Sequence, residues 1–399
     1  MLLFLFGALL ENLLASNSSL DWTQVQRAPL LLHDWAWRQR LEAQGFRWNA
    51  YHLTYLGGLW DGGVGDSGTR LSSSLDLILR FDGEAMIGWE GFDMLSHLKS
   101  TYEDNINPMV GARSQVIDDA DFTEWFWVDQ LWIRQYFRER TWAIQAGYLD
   151  QQTILDRNAF ANQEDRFFMA QYLDNNNAII PLRVGLGANI RWYPTPTWDW
   201  SLGIADVDNR ILHVGLDTFF DDAESLVTYS QLGKAFRLGG LPGNLRIGGY
   251  YDARDRRINA SSDSQSGHFG VFLSADQWLY LESGQPSQGL GLFVRYGYHD
   301  ASVNAFAHFW SLGVQYEGLI PKRDRDRFGS AVYQVRPAAS FRRERGSDVV
   351  AETGFETYYL FRMTPWATLS PNIQIIQNPG GSRSGETAIA TNLRLRISF

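Results

Sequence analysis

The stretch Thr387-Ala388-Ile389-Ala390-Thr391-Asn392-Leu393-Arg394-Leu395-Arg396-Ile397-Ser398-Phe399 sorts its side chains by parity. Ile389, Thr391, Leu393, Leu395, Ile397 and Phe399 share one face, and Asn392, Arg394, Arg396 and Ser398 the other. A period of two is the period of a β-strand, whose successive side chains point to opposite sides. Arginines on one side and aliphatics on the other place such a strand between water and an apolar medium. In a single closed sheet those two environments are an aqueous lumen and lipid.

The same pattern recurs upstream. Leu71, Ser73, Leu75, Leu77, Leu79 and Phe81 oppose Ser72, Ser74, Asp76, Arg80 and Asp82. Leu245, Ile247, Gly249 and Tyr251 oppose Arg246, Tyr250 and Asp252; Leu290, Leu292, Val294, Tyr296 and Tyr298 oppose Gly291, Arg295 and His299. Leu369, Pro371, Ile373 and Ile375 oppose Thr368, Ser370, Asn372 and Gln374. Alternation alone fits a water-soluble sandwich as well as a barrel, and the connections decide between them. Strands are predicted near 46–57, 70–82, 86–99, 124–137, 141–151, 183–193, 198–208 and 225–236, then near 243–255, 267–281, 289–300, 306–317, 328–335, 350–362, 366–377 and 386–399. The connections 138–140, 194–197, 282–288 and 363–365 are tight, whereas 100–123, 152–182, 209–224 and 336–349 are long and polar. Short turns at one end and long loops at the other, with an even strand count, are how bacterial outer-membrane barrels are built. Phe399, preceded by apolar residues at every second position, also matches the terminal sorting signal of such barrels. The expected fold is therefore all-β: a 16-stranded antiparallel transmembrane β-barrel over 46–399, wide enough for an open lumen where eight strands would be filled by side chains.

Composition agrees. The chain has 399 residues, 16 Trp, 17 Tyr and 24 Phe, yet a mean hydropathy of −0.26. Rings spread among polar residues suit the half-wet girdles of a membrane interface. There is no cysteine, which rules out disulfides, thiolate metal sites and cysteine nucleophiles. A net charge of −10 argues against a nucleic-acid partner, which needs a basic stripe. No run of 18 apolar residues is present, so no spanning helix is expected. Residues 1–15 (MLLFLFGALLENLLA) read as a signal peptide with a truncated start. Residues 16–45 read as an N-terminal periplasmic segment whose short helix, about 33–44, is stopped by Gly45.

Pore-facing polar residues are the functional feature a barrel sequence displays best. The expected pathway set is Trp132, Arg134, Arg246, Tyr250, Asp252, Arg254, Arg295, His299, Arg394 and Arg396, with Asp76, Arg80 and Glu356 as weaker members. A path for small polar solutes needs fixed donors and acceptors along its wall; arginine offers five donors without titrating. The segment 152–182 carries Asp156, Arg157, Asn158, Asn162, Glu164, Asp165 and Arg166 and is expected to fold inward as part of a constriction.

Other motifs carry little. Gly63, Gly65 and Gly68 form G-x-G-x-x-G, but a strand follows where a phosphate cradle needs a helix. Asp118, Asp119, Asp121 and Glu124 lack the glycine and spacing of a calcium loop, so no metal and no cofactor is expected. No H-E-x-x-H, no G-x-S-x-G elbow and no Ser/His/Asp cluster points to an enzyme.

The chain also resembles a known family, the carbohydrate-selective porins of the OprB type. His33-Asp34-Trp35 through Arg38, Arg40, Leu41 and Gly45 is similar to that family's D-W-x-x-x-R-x-x-L-x-x-x-G opening. Leu131-Trp132-Ile133-Arg134-Gln135-Tyr136-Phe137, followed by Gln145-Ala146-Gly147-Tyr148-Leu149-Asp150, resembles its paired strands ending in A-G-K-L-D, with Tyr148 in place of the usual lysine. Leu273-Ser274-Ala275-Asp276-Gln277, Gly289–Phe293, Gly318-Leu319-Ile320-Pro321, Thr364-Pro365-Trp366 and Asn378-Pro379-Gly380-Gly381 follow in family order. The resemblance implies a 16-stranded barrel in the bacterial cell outer membrane that passes monosaccharides by diffusion, some members passing other small solutes. The implied partners are small hydrophilic solutes and outer-membrane lipid, with the chain a homotrimer or a monomer. A lumen face rich in arginine would equally suit small anions such as organic acids or phosphate.

Overall fold

The structure, a computed structural model, describes residues 30–399 apart from 33–34, 103, 121–123, 177–183, 207–225 and 283–286. The expected signal peptide, 1–15, and most of the segment 16–45 lie outside the described residues. Sixteen antiparallel strands close into one barrel. They run β1 Phe46–Gly63, β2 Gly68–Asp82, β3 Phe92–Tyr102, β4 Glu124–Phe137, β5 Trp142–Asp150, β6 Val184–Thr195, β7 Trp198–Asp206 and β8 Leu226–Leu238. The second half is β9 Leu241–Arg257, β10 Ser264–Leu281, β11 Gly289–His299, β12 Phe306–Glu317, β13 Arg327–Pro337, β14 Glu352–Arg362, β15 Ala367–Gln377 and β16 Glu386–Ser398. Each strand pairs with its sequence neighbours, and β1 closes the sheet on β16 with Tyr51 opposite Ser398 and Leu56 opposite Leu393. Strands of 9 to 18 residues are long enough to cross, since roughly 9–11 tilted residues suffice.

The side-chain polarity is inside out. On β16, Arg394 and Asn392 are covered within the barrel while Leu393 and Ile389 are each 37% exposed on its outer wall. Leu71, Ile247, Val271, Leu312 and Ile373 are likewise exposed outside. Aromatic rings collect at both rims. Trp60, Trp125 and Phe126 stand near the long-loop end, and Trp142 stacks on Trp192 at 5.6 Å near the short-turn end. The tight connections 138–141, 196–197 and 239–240 share that second end with both chain ends of the sheet, which makes it the periplasmic side.

The predicted strand 86–99 is corrected at its start. Residues Gly83–Ile87 form a helical turn instead, and β3 begins only at Phe92. Asp82 caps that turn by accepting from the backbone N–H groups of Glu84 and Ala85 at 3.1 and 3.2 Å, and Gly88 ends it at φ +70°.

A short helix, α1 (Ala36–Ala43), seats against the periplasmic rim through Arg38, which is 1% exposed. Its guanidinium donates to the carbonyls of Phe399 and Trp48 at 3.0 and 2.7 Å, pairs with Glu42 at 2.9 Å and lies 4.3 Å over the Trp48 ring. Arg38 thus ties the helix to both β1 and the end of β16.

Ile247 is 54% exposed near the middle of β9, opposite Leu232 and Leu273. Ile247→Arg should destabilise the folded barrel in lipid by about 2–4 kcal/mol, the cost of a lipid-facing arginine at the midplane. Urea-dependent refolding into vesicles, read by tryptophan fluorescence, measures it; an unchanged midpoint would contradict the assignment of the outer face.

Candidate solute pathway

Among the described residues, two connections on the long-loop side enter the barrel. One follows β3, described over 104–120, and the other follows β5, described over 151–176. Ile154, Leu155, Phe160, Phe168 and Leu173 of the second are almost fully covered. They pack on inward aromatics of β8 to β14, among them Tyr229, Phe272, Phe293, Tyr333 and Tyr358. The Phe168 ring meets Tyr358 edge-on at 5.1 Å, and Tyr172 meets Tyr333 at 5.6 Å. Phe160 fits only because residue 291 is glycine: a Cβ there would stand 2.1 Å from its ring. The first connection packs Ile106, Val110, Val116 and Ile117 against Leu53, Tyr55 and Leu59 of β1 and against Ile376, Ala388 and Ala390.

A chain segment placed there without a strand partner must find other partners for its backbone groups. The barrel wall supplies them. The Glu356 carboxylate accepts from the N–H groups of Met169 and Ala170 at 2.7 and 2.8 Å. Glu352 accepts from those of Arg113 and Ser114 at 2.7 and 3.1 Å, and the Gln231 side chain accepts from Asp156 N–H at 2.8 Å. Arg295 donates to the Leu173 and Asp174 carbonyls at 2.8 and 3.0 Å, and Arg394 donates to those of Phe167, at 2.9 Å, and Glu164.

This arrangement divides the residues singled out in the sequence. Arg295 is 0% exposed and pairs with Asp156 at 2.8 Å, so the loop covers it and it holds the loop. Arg394 is covered in the same way, and Arg246 donates to the Arg157 carbonyl at 2.7 Å and faces Asp276 at 3.7 Å. Tyr250, Asp252, Arg254 and His299 form a separate network toward the long-loop end of β9 to β11. Arg254 pairs with Asp252 at 2.6 Å, His268 reaches Asp252 at 3.0 Å, and the Tyr250 hydroxyl meets His299 Nδ1. Arg396 pairs with Asp165 at 2.9 Å and lies 4.5 Å over the Tyr51 ring, and Arg166 reaches the same carboxylate at 3.2 Å. Trp132 and Arg134 do face open space, with Arg134 in contact with Asp93 and 5.1 Å from the Trp132 ring.

That open space is a cavity of about 600 Å³ between the loop and the inner face of β1 to β6. On the strand side stand Tyr51, Arg80, His97, Asp129, Trp132 and Arg191; on the loop side stand Arg157, Asn158, Asn162, Gln163, Glu164 and Asp165. It adjoins a second cavity of about 540 Å³ at the short-turn end, the two sharing Tyr51, Ile78, Arg80, Gln163 and Asp165. His97, Lys99, Asp129 and Arg191 were not among the sequence candidates. His97 sits between Asp76 and Asp129 at 2.7 and 3.0 Å, and Lys99 pairs with Asp119 at 2.8 Å. His97 and Lys99 share the inward face of β3 and Arg191 lies on the inward face of β6, whereas Asp129 was hidden by a bulge in β4, where the pairing shifts between His97 with Gln130 and Leu98 with Val128.

On the loops, burial pushes the Glu164 and Asp174 carboxyls well above the usual carboxylate range, and the charge of Asp118 adds repulsion to both. Oxygens of these three residues lie within 4.8 Å of one another, a spacing that could hold a divalent cation; protonation relieves the same repulsion without one. Asp119 stands apart from these three and turns to Lys99 at 2.8 Å and to the Tyr55 hydroxyl at 3.2 Å. Asp121 lies outside the described residues.

The sequence pattern of the carbohydrate-selective porin family OprB matches residues 75–399. Porin B of Pseudomonas aeruginosa is 22% identical over 92% of this chain and 91% of its own length. A putative porin of Acinetobacter baylyi, QuiX, is 24% identical over 99% of both chains. Among solved structures, Pseudomonas putida OprB at high pH superposes with a TM-score of 0.83 at 19% identity, covering 94% of this chain and 99% of that one. The outer-membrane channel DcaP of Acinetobacter baumannii superposes with a TM-score of 0.56 at 10% identity, covering 89% of this chain and 97% of that one. These superpositions establish the shared fold.

Glu356→Ala would leave the Met169 and Ala170 N–H groups without acceptors, at about 1–3 kcal/mol each. The barrel should still close, seen as heat-modifiable migration on a gel, while single-channel recordings should show a larger or noisier unitary conductance. Recordings identical to the parent would show that the loop does not depend on this carboxylate.

Proposed function

Because this chain belongs to the OprB family of carbohydrate-selective porins, we propose that monosaccharides cross it between the folded-in loop and the inner face of β1 to β6. The protein is an outer-membrane porin for small carbohydrates. The observation that carries the route is the asymmetry of the lumen. From β8 to β14 the inner wall is occupied by the loop's apolar core, whereas from β1 to β6 it is lined by polar side chains that face polar side chains of the loop.

Transport along such a path needs no chemical step. Dehydrating a hydroxyl is unfavourable unless the wall replaces the lost hydrogen bonds. Arg157 and Arg191 supply donors, Asp129 and Glu164 supply acceptors, and Tyr51 and Trp132 give an apolar ring a surface to slide along. Contacts on opposite walls let a sugar exchange one partner for the next, so no single position traps it. The route lies inside one barrel and is the same for a monomer or a homotrimer. Outer-membrane lipid is the partner that the outward apolar face fits.

Liposome swelling with the purified protein tests the reading. Glucose should enter faster than sucrose or maltose, and equal rates for all three would overturn a constriction of monosaccharide size. Arg191→Gln removes a charged donor from the strand-side wall. It should raise the glucose concentration needed to half-block ion current by up to about tenfold, equivalent to 1.4 kcal/mol of contact.

A further inference from the structure

The second cavity, at the short-turn end, has an unbalanced lining. Arg80 from β2, Arg166 from the folded-in loop, Arg325 from the connection 318–326, Arg327 from β13, Arg362 from β14 and Arg396 from β16 all face a space of about 540 Å³. The carboxylates that face it with them are Asp165 and Glu317. Glu317 is taken by Arg327 at 2.7 Å, and Asp165 is shared by Arg396 and Arg166 at 2.9 and 3.2 Å. Among the described residues, Arg80, Arg325 and Arg362 have no carboxylate within ion-pair distance. The Arg362 guanidinium donates to the Pro365 carbonyl at 2.8 Å, and its buried Nε has no acceptor.

Guanidinium groups do not discharge at any physiological pH, so the surplus positive charge stays. Like charges brought together from six separate elements are stabilised by an anion between them. The planar fork of arginine matches an oxyanion through paired hydrogen bonds. The position is as informative as the charge. This cavity shares Tyr51, Arg80, Gln163 and Asp165 with the central one, so it is the chamber a solute meets on leaving the constriction. Asn49, Gln163, Thr368 and Ser398 line it too, offering partners for hydroxyl groups, and Tyr51 and Trp366 offer ring faces.

We propose that this periplasmic vestibule binds the carboxylate of an acidic sugar, which makes the channel favour aldonic or uronic acids over neutral sugars of the same size. The proposal rests on the sugar-channel reading and narrows its substrate class. A carboxylate engages Arg325 and Arg362, two of the three arginines without a carboxylate partner, while the hydroxylated chain takes the polar side chains around them. Because the attraction is electrostatic and the chamber is open to water, it weakens as salt rises.

The test uses the whole protein in planar bilayers, with glucose, gluconate and inorganic phosphate as separate blockers added from the short-turn side. In low salt, gluconate should half-block the current at a concentration at least tenfold below that of glucose and below that of phosphate. Raising KCl should erase most of that difference. Arg325→Gln lies on an exposed connection outside the strands and should weaken gluconate block severalfold while leaving glucose block unchanged. Arg362→Gln, or the pair together, should do so further, and should shift the reversal potential in a KCl gradient away from anion preference. Gluconate blocking no better than glucose, or phosphate blocking as well as gluconate, would overturn the proposal, as would an Arg325→Gln channel with parental gluconate block. Failure of the sugar-channel reading shows up separately, as liposomes that swell in no sugar.

Discussion

The pairing of β1 with β16 is the contact on which the rest of the molecule depends. In hydrocarbon, a strand edge would leave a row of N–H and C=O groups unsatisfied, at several kcal/mol each. Closing the sheet removes that edge, and only then can the outer wall be aliphatic and the inner wall polar. The helix α1 reinforces the seam. Arg38 holds the carbonyls of Trp48 and Phe399, one from each side of it, at a site where the guanidinium is itself almost wholly covered.

Once the barrel is closed, its interior presents the opposite problem, an excess of space. The connection after β5 fills it on the side of β8 to β14. That filling combines two kinds of contact that ordinarily occur in different places. Phe160, Phe168 and Tyr172 build an aromatic core of the sort found inside soluble domains. Around that core, Glu352, Glu356, Arg295 and Arg394 act as backbone partners, standing in for the strand neighbours that the loop lacks. Charged residues on the inner wall therefore divide into those that hold the loop and those that remain in contact with water.

The same division shapes the route. Apolar burial on the β8 to β14 side pushes the open water toward β1 to β6, where Arg191, Asp129 and His97 line the cavity. A solute thus passes between a rigid strand wall and a loop that is pinned at many backbone positions. Rigidity on both sides is what lets fixed donors and acceptors discriminate by shape, because flexible side chains would simply hydrate whatever entered.

Strand identity was legible in the sequence because lipid on one side and water on the other impose a strict period of two, and that signal is local. The parity of Leu393 against Arg394 needs no knowledge of the rest of the chain. The alternation of tight and long connections made the barrel legible in the same way, and the ordered family fragments from Trp35 to Asn378 carried the link to sugars. Which inward residue touches water was not legible. Arg295, Arg394 and Arg134 read alike along their strands, yet the first two are sealed under a loop more than a hundred residues away in sequence and the third faces the cavity. Parity says only that a side chain points inward. What it meets there depends on where a distant connection comes to rest, and that is decided by packing across the lumen, a property of the folded barrel as a whole.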